Sequence, residues 1–318
     1  MEKEVLLSIL IPTYNGASKY LDRTISSIVE GVKLCGEGLI EVIVSSNAST
    51  DNTLELMRQY EDCPYIKCFS NDINIGFARN IVKLTDEYAK GKFGWVIGDD
   101  DVIIPSAIPV IVKELKLDKI DYLSVGFKFV KDADYSNLQN HYSIVYCNYT
   151  EILESAKTGN SFGTFMSSAI VRLSLFQQIS KKEVTPNFDT FQSIFPNGYV
   201  NVTAYHDKAC AYIDDEVVLS FIHEKGWDTS DNMYLISVHI MPEFYNYILS
   251  LGIKKDNLSK TYKRLLRNAL YDGYLRIVKF KKVDNAFLSL WAKSIKYPSV
   301  HFDLIKSVLN KVWRKIKQ

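Results

Sequence analysis

The first 130 residues alternate between short apolar runs and longer segments whose apolar residues recur at helical spacing. The runs at Leu6–Ile11, Glu41–Ser45, Tyr65–Phe69 and Phe93–Ile97 have the length and the β-branched or aromatic content of buried strands. Between these runs, apolar residues three and four positions apart predict helices that each bury one face. This β-α-β-α order predicts an α/β fold with a Rossmann-like, mostly parallel central sheet flanked by helices.

Polar clusters follow three of the predicted strands, at the point where each apolar run ends. In an open sheet of this kind, ligands bind outside the carboxyl ends of the strands. We therefore expect three clusters to line one crevice, namely Pro12-Thr13-Tyr14-Asn15, Ser46-Asn47-Ala48-Ser49 and Asp99-Asp100-Asp101.

The run of three aspartates is the strongest chemical signal in the sequence. Adjacent carboxylates repel one another, so a fold tends to avoid them unless something compensates their charge. On an extended backbone Asp99 and Asp101 point to one side, where two oxygen ligands suit Mg²⁺ or Mn²⁺ bound to a diphosphate. The alternative is a polar turn before the next helix, which Pro105 and Ser106 are suited to begin.

The other polar clusters each have a functional and a structural interpretation. Tyr14 would lay its ring against a flat base, but Asn15-Gly16 is also a common turn pair. Ser49 is explained almost equally well as a helix N-cap. Arg79 would meet a phosphate, or stand at the solvated start of a helix.

Composition and leader signals favour a cytoplasmic protein. The chain has five cysteines, an odd number without a C-x-x-C pair, which favours a reducing compartment. The first apolar run follows two glutamates and ends at Pro12, unlike a signal peptide. No apolar run reaches the roughly 18 residues that a membrane-spanning helix needs.

The end of the chain is basic and predicted to be helical. From Ile240 onward there are 17 Lys/Arg against 5 Asp/Glu, whereas the preceding residues carry 21 against 32. An apolar stripe there suits contact with an anionic membrane, packing on its own domain, or a homodimer. No nucleic-acid recognition motif accompanies the charge, so we expect no nucleic-acid partner. The stripe consists of Phe302, Ile305, Leu309, Val312, Trp313 and Ile316.

Taken together, the motifs between Val5 and about Leu115 resemble the nucleotide-binding half of glycosyltransferase family 2, which has the GT-A fold. The aspartates that end the last motif, after Gly98, look closest to the abequosyltransferase-like subgroup that builds bacterial O-antigens and capsules. The matching stretches are Ser8–Asn15, Ala48–Thr53, Asn74-Ile75-Gly76 with Asn80, and Gly91–Asp101.

The resemblance implies a role for each matched residue. Asp101 would ligate a Mn²⁺ or Mg²⁺ ion that bridges the diphosphate, and Asp99 would approach the ribose or the metal. Family members usually carry an aspartate after the second strand, where this chain has Asn47, whose amide is suited to read a uracil or thymine edge. We therefore expect a UDP-, dTDP- or CDP-sugar donor, bound by Pro12, Thr13, Tyr14, Asn15, Asn47, Ser49, Arg79, Asp99 and Asp100.

The second half matches the family loosely, along Phe162-Gly163 through Ser167, Ser168 and Arg172. The usual Glu-Asp pair that supplies a catalytic base is not recognisable. Asp189 is the first candidate for that base and His206-Asp207 the second. His223 lies where the family often closes a loop over the diphosphate, so a metal or phosphate contact is its functional interpretation.

The sequence thus predicts three parts: a nucleotide-sugar-binding half at 1–120, an acceptor-binding half at 121–235, and a basic helical extension at 236–318. The function that the resemblance implies is metal-dependent, inverting transfer of a sugar from a nucleotide-diphosphate sugar to a polysaccharide or lipid-linked oligosaccharide in bacterial surface glycan synthesis. We expect it in the cytoplasm, peripheral to the inner face of the plasma membrane. One alternative is a sugar nucleotidyltransferase, which would usually show a Gly-rich basic loop that Pro12–Ser18 lacks. The other is a degenerate sugar-binding or scaffold module.

Overall fold

The computed structural model describes residues 4–16, 20–36, 38–131, 141–154, 165–184, 196–221, 234–280 and 284–306. The chain divides into two compact units, Met1–Ile222 and His223–Gln318. The boundary expected at residue 120 falls inside the first of these units.

The first part of the first unit confirms the predicted alternation of strands and helices. Strand β1 and strand β2 are buried along their whole lengths, as expected for inner strands covered on both faces. Helix α3 continues as one π-helical segment, Leu84–Tyr88. The elements are β1 Leu7–Thr13, α1 Leu21–Cys35, β2 Ile40–Ser46, α2 Thr53–Arg58, β3 Ile66–Ser70, α3 Phe77–Lys83 and β4 Phe93–Val96.

The second part of this unit adds further strands to the same sheet. A short 3-10 turn, Met166–Ser168, leads into β8, and a π-helical segment, Ser180–Val184, follows α6. The remaining elements are β5 Asp101–Ile103, α4 Ala107–Lys116, β6 Tyr122–Val130, β7 Ile144–Cys147, α5 Tyr149–Glu154, β8 Ala169–Arg172, α6 Leu173–Ile179, α7 Pro196–Tyr205 and β9 Cys210–Phe221.

Within the described residues, nine strands form one mixed sheet of order β3-β2-β1-β4-β8-β6-β9-β5, with β7 also paired to β9. Strands β1, β2, β3 and β4 are parallel, and β8 is antiparallel to both β4 and β6. Since β6 and β9 are parallel, six strands run in one direction, as the predicted mostly parallel sheet requires. The carboxyl ends of these six strands therefore share one edge of the sheet.

Apolar side chains on both faces hold the helices against this sheet. On one face, Ile9 and Ile25 belong to the main core together with residues of α1 and α4. On the other face, Leu10 and Ile43 pack with Ile81 of α3. Pro12 lies inside β1 without breaking the sheet because the pairing of β1 with β4 has already ended at Leu10.

The second unit is helical in its described residues, as predicted. A π-helical segment, Leu235–Ile240, runs into α8 Met241–Ser250, which is followed by α9 Ser259–Phe280, α10 Asn285–Ser294 and a helical stretch at 298–306. The Asp284 side chain caps α10 by accepting a 2.9 Å hydrogen bond from the Phe287 backbone N–H. Among the described residues, no helix combines the length and the apolar content needed to cross a bilayer.

Candidate active site

The polar clusters at the strand ends contact one another through hydrogen bonds. The backbone N–H of Asn15 donates to Ser49 Oγ at 3.0 Å, and Asn15 Oδ1 accepts from the Thr50 N–H at 2.8 Å. The backbone N–H of Asn47 donates to the Thr13 carbonyl at 2.9 Å. Thr13 Oγ1 in turn donates to Asp99 Oδ2 at 2.5 Å. One chain of hydrogen bonds therefore joins the ends of β1, β2 and β4.

Asp99 is fixed from two directions by residues that flank the β1 turn. Its carboxylate accepts from Thr13, and its backbone carbonyl accepts from Thr24 Oγ1 in the first turns of α1 at 3.0 Å. The β1 turn and the aspartate turn approach each other so closely that Gly16 has no room for a side chain. A Cβ there would lie 2.4 Å from Thr13 Oγ1 and 2.6 Å from Asp99 Oδ2. Gly16 is thus required for this contact, a role beyond the turn pair read from the sequence.

The aspartate run is folded into a turn and is not extended. The backbone N–H of Asp101 donates to the Gly98 carbonyl at 3.1 Å, and β5 begins only at Asp101. The extended backbone from which a common direction of Asp99 and Asp101 was predicted is therefore absent. Asp99 bonds to the β1 turn, whereas Asp100 and Asp101 both lie beside Gly98, where an added Cβ would be 2.9 Å from an oxygen of each.

The side chain of Asp101 is hydrogen-bonded to Ser167, a residue with no predicted role at the aspartate turn. The Asp101 side chain is only 3% exposed, and its Oδ2 accepts a short hydrogen bond from Ser167 Oγ. Ser167 Oγ also accepts from the Gly98 N–H at 2.9 Å, and the Ser167 carbonyl accepts from Trp95 Nε1 at 2.8 Å. No signal in the sequence links Ser167 to residues so distant along the chain. These contacts engage Oδ2, whereas Oδ1 of Asp101 is buried without a hydrogen-bond partner among the described residues, so the expected metal contact of Asp101 would be made through Oδ1.

Burial makes the two outer aspartates weak acids. Loss of water around the carboxyl group raises the pKa of Asp101 to about 7, and the negative charge of Asp100 adds to the rise. The pKa of Asp99 is raised to about 6, also by burial, although the hydrogen bond from Thr13 opposes the shift. A cation beside the turn would favour the ionised forms and lower both values.

The amide of Asn47 is engaged in a buried network instead of facing the crevice. Asn47 is 4% exposed, its Oδ1 accepts from Asn71 Nδ2 at 3.1 Å and from the Ile75 N–H at 3.0 Å, and its Nδ2 donates to Asn74 Oδ1 at 2.9 Å. Asn80 extends the network to Ser45 and Asn71. These contacts hold the loop 71–76, so the expected reading of a base edge by Asn47 conflicts with its hydrogen bonds.

The remaining donor-side candidates differ in accessibility. Tyr14 is 50% exposed at the tip of the β1 turn, so its ring is available to a ligand. Ser49 is held by Ser46, whose Oγ donates to Ser49 Oγ at 2.9 Å. Arg79 is exposed in the first turn of α3, and Pro12 is buried within β1, where its ring has no access to the crevice.

The acceptor-side candidates divide into one pair that the structure places and two residues that it does not describe. His206 and Asp207 lie between α7 and the start of β9, whereas the Asp101 partner on β9 is Ser220 near its other end. Ten residues of strand separate these ends by about 30 Å. His206-Asp207 as the base is therefore wrong, while Asp189 and His223 lie outside the described residues.

Arg172, another residue of the loosely matching segment, also lies far from the crevice. It is the last residue of β8 and pairs with Phe93 at the amino end of β4. Its guanidinium forms ion pairs with Asp118 at 2.7 Å and Asp121 at 2.5 Å. Arg172 thus stabilises the opposite edge of the sheet.

The oxygen donors at the turn suit a hard divalent cation in kind, but they do not enclose one. Asp99 and Asp100 are both partly exposed. Among the described residues, no group of three His, Cys, Asp or Glu side chains is placed to hold a metal ion. Mg²⁺ is commonly held by one or two carboxylates, with phosphate oxygens and water filling its other positions. The turn therefore fits a cation that arrives with a diphosphate.

A mostly parallel sheet with polar turns and an acidic turn at its carboxyl edge is the arrangement expected of the GT-A fold. The model of glycosyl transferase family 2 matches residues 8–180, more than half of the chain. The chain belongs to glycosyltransferase family 2.

Relatives of known activity match parts of the chain. An abequosyltransferase of Salmonella typhimurium is 33% identical over 110 residues, which cover 34% of this chain and 32% of that protein. A validoxylamine A glucosyltransferase of Streptomyces hygroscopicus is 41% identical over 78 residues, covering 24% of this chain and 18% of the relative. The chain thus spans about a third or less of the curated relatives it matches.

Solved structures share the fold over most of the chain. TarS of S. aureus, residues 1–349 in complex with UDP-GlcNAc, superimposes with a TM-score of 0.53 at 18% identity and 92% coverage of both chains. A mannosyltransferase of Pyrobaculum calidifontis, in complex with GDP-Man and Mn²⁺, gives 0.51 at 14% identity, covering 97% of this chain and 87% of the other. These likenesses confirm the GT-A fold.

Proposed function

We propose that this glycosyltransferase moves a sugar from a nucleotide-diphosphate donor to a polysaccharide or lipid-linked oligosaccharide in bacterial surface glycan synthesis, with inversion at the anomeric carbon. The observation that carries the proposal is the 2.5 Å bond between Thr13 and Asp99, where the ends of β1 and β4 meet. The partial match to an abequosyltransferase supports the glycan class. UDP-GlcNAc and GDP-Man in the two structural neighbours support the donor class.

On the donor side, the β1 turn would bind the nucleoside. The exposed Tyr14 ring offers a flat surface for the base, and Asp99, fixed by Thr13, presents its carboxylate to the ribose. Asn15 and Ser49 hold this turn against the end of β2. Arg79, exposed at the start of α3, would pair with a phosphate. A UDP-, dTDP- or CDP-sugar remains the donor that we propose.

We propose Mn²⁺ or Mg²⁺ as the cofactor, and the burial of Asp101 changes which residue we assign to it. Asp100 is partly exposed and Asp99 faces the β1 turn, so these two would hold the cation, while Asp101 keeps the turn folded through Ser167. When bound, a divalent cation supplies positive charge to the departing diphosphate. The Mn²⁺ in the mannosyltransferase neighbour supports this choice.

On the acceptor side, we propose Asp189 as the base from the sequence alone. Its carboxylate would take the proton of an acceptor hydroxyl as that oxygen bonds to the anomeric carbon and the bond to the diphosphate oxygen breaks. His223 would contact the diphosphate or the metal. Replacing Asp189 by Asn should abolish transfer and leave donor binding unchanged, and measured transfer by that variant would remove Asp189 from the mechanism.

Thermal unfolding with nucleotides tests the donor and the metal together. A ligand at 100 times its Kd stabilises a fold by about 2.7 kcal/mol, so the correct nucleoside diphosphate should raise Tm by several degrees. We expect one of UDP, dTDP and CDP to do so in Mn²⁺ and to lose most of the effect in EDTA. A larger response to GDP or ADP would contradict the proposed donor class.

Matched variants separate the roles of the aspartates. Asp100→Asn should fold normally and lose the metal-dependent part of the Tm shift, because it removes a proposed ligand. Asp62→Asn removes an exposed aspartate of the first unit from the turn that follows α2, so it should respond as the parent does. Retention of the full Mn²⁺ effect by Asp100→Asn would return the metal to Asp99 or Asp101. Nucleotide binding without measurable sugar transfer would favour the scaffold alternative.

We further propose that the enzyme works in the cytoplasm, in peripheral contact with the inner face of the plasma membrane. The excess of Lys and Arg after Ile240 supports this location. Of the predicted C-terminal stripe, only Phe302 and Ile305 are described, and both are exposed; residues 307–318 lie outside the described residues. A homodimer remains a second proposal for this region, to be tested by light scattering.

A further inference from the structure

Exposed apolar side chains are concentrated in the second unit. Of 17 exposed large hydrophobic residues among those the structure describes, nine lie between 235 and 305. Five of them form what we call the α9–α10 face. Its members are Tyr274, Val278, Leu288, Trp291 and Ile295, with exposures of 38%, 81%, 49%, 40% and 57%.

The members of the α9–α10 face come from two helices that pack directly on each other. A Cβ at Gly273 of α9 would lie 2.1 Å from the ring of Phe287 on α10, so the two backbones are close. Trp291 Nε1 donates to the Tyr274 hydroxyl at 2.9 Å, which joins the exposed rows of the two helices. Helical spacing then puts Val278 one turn from Tyr274, and Ile295 one turn from Trp291. The exposed residues thus form one surface.

The charges around this face identify the partner it suits. Lys260 and Lys263 are exposed on α9, three to four turns before Tyr274 and on the same side of that helix by its periodicity. The described residues of this unit carry 11 Lys/Arg against 5 Asp/Glu. An apolar face rich in aromatic residues and bordered by lysines is the composition of helices that lie in an anionic lipid interface. A second copy of the chain would instead bring like charges together.

We propose that the α9–α10 face is a membrane-docking surface for anionic lipid, separate from the predicted stripe at the end of the chain. Val278, Leu288 and Ile295 enter the boundary between headgroups and acyl chains. Trp291 and Tyr274 lie at the headgroup level, where their linked polar atoms remain satisfied. Lys260 and Lys263 meet lipid phosphates. This surface rests on the proposed peripheral location of the protein. It does not depend on the proposed reaction, because lipid binding does not require sugar transfer.

Vesicle flotation of the full chain tests this surface. The parent protein should float with vesicles of phosphatidylglycerol and phosphatidylcholine in equal parts, and not with phosphatidylcholine alone. Val278→Ser with Ile295→Ser removes two exposed apolar groups, so it should weaken binding about tenfold or more without affecting the fold. Leu34→Ser with Leu117→Ser, at exposed positions of the first unit, is the matched control and should bind as the parent does.

Several results would overturn the proposal. The parent could fail to bind anionic vesicles, or the Val278/Ile295 variant could bind them as well as the parent does. The third such result is that binding is lost only when Trp313 of the terminal stripe is replaced by Ala. A homodimer that the Val278/Ile295 variant disrupts would assign the face to a second copy. Transfer to a soluble acceptor should persist in that variant, so a protein that binds vesicles but transfers no sugar contradicts the proposed function and not this surface.

Discussion

The buried carboxylate of Asp101 should make the stability of this protein fall as the pH rises. Folding raises the pKa of Asp101 from its ordinary value near 4 to about 7, chiefly through burial. Between these two values the folded chain binds more protons than the unfolded chain, so the free energy of unfolding decreases with pH. At about 1.4 kcal/mol per pKa unit, the loss from this one group is about 4 kcal/mol.

Asp101→Asn removes the titration and keeps the shape of the side chain. Its amide oxygen can still accept from Ser167, and its Nδ2 replaces Oδ1, which has no partner among the described residues, at a cost that does not vary with pH. We expect the variant to gain about 4 kcal/mol relative to the parent between pH 4 and pH 8. Denaturant unfolding of both proteins in EDTA at several pH values measures this difference directly. Asp62→Asn, at an exposed position, should follow the parent at every pH.

Two outcomes would refute this reasoning. If parent and variant lose stability in parallel as the pH rises, Asp101 is not a buried acid with a raised pKa. If Mn²⁺ without nucleotide stabilises the parent at pH 8 but not Asp101→Asn, the carboxylate is a metal ligand after all. The second outcome would also restore the assignment that the sequence first suggested.

Three further substitutions test other contacts of the first unit. Gly16→Ala should force Thr13 away from Asp99 and raise the KM for the donor about tenfold, measured by steady-state transfer, and an unchanged KM would contradict this role. Asn47→Ala should free the loop 71–76 and speed its amide hydrogen exchange, whereas unchanged exchange would show that the network is dispensable. Asn201, 1% exposed and without side-chain partners among the described residues, lines a small apolar cavity, so Asn201→Leu should stabilise the fold by about 1–2 kcal/mol in urea, and destabilisation would indicate a hidden partner.

The sequence was sufficient for the fold of the first unit because each local signal agreed with the tertiary arrangement. Leu6–Ile11 and Glu41–Ser45 were predicted as strands, and β1 and β2 lie there. The convergence of the strand-end clusters followed from parallel strand direction alone. The family resemblance added the GT-A fold, which the structural neighbours confirm.

The sequence could not predict contacts between residues far apart in the chain. Nothing local distinguishes Asp101 from Asp99, since only the position of Ser167, 66 residues later, shows which carboxylate is enclosed. The amide of Asn47 was expected to face a ligand because its partners Asn71 and Asn74 belong to a loop whose path the sequence does not specify. His206-Asp207 was misplaced because the sequence does not reveal in which direction β9 runs.

The link between Ser167 and the aspartate turn has a consequence for how such a protein can change over generations. Because one hydroxyl serves both Asp101 and the Gly98 amide, a replacement that removes the hydroxyl at position 167, or the acceptor oxygen at position 101, leaves a buried polar group unmatched. Substitutions that remove either group should therefore be viable only in pairs. A library that randomises both positions at once should recover active sequences that libraries of either position alone do not contain.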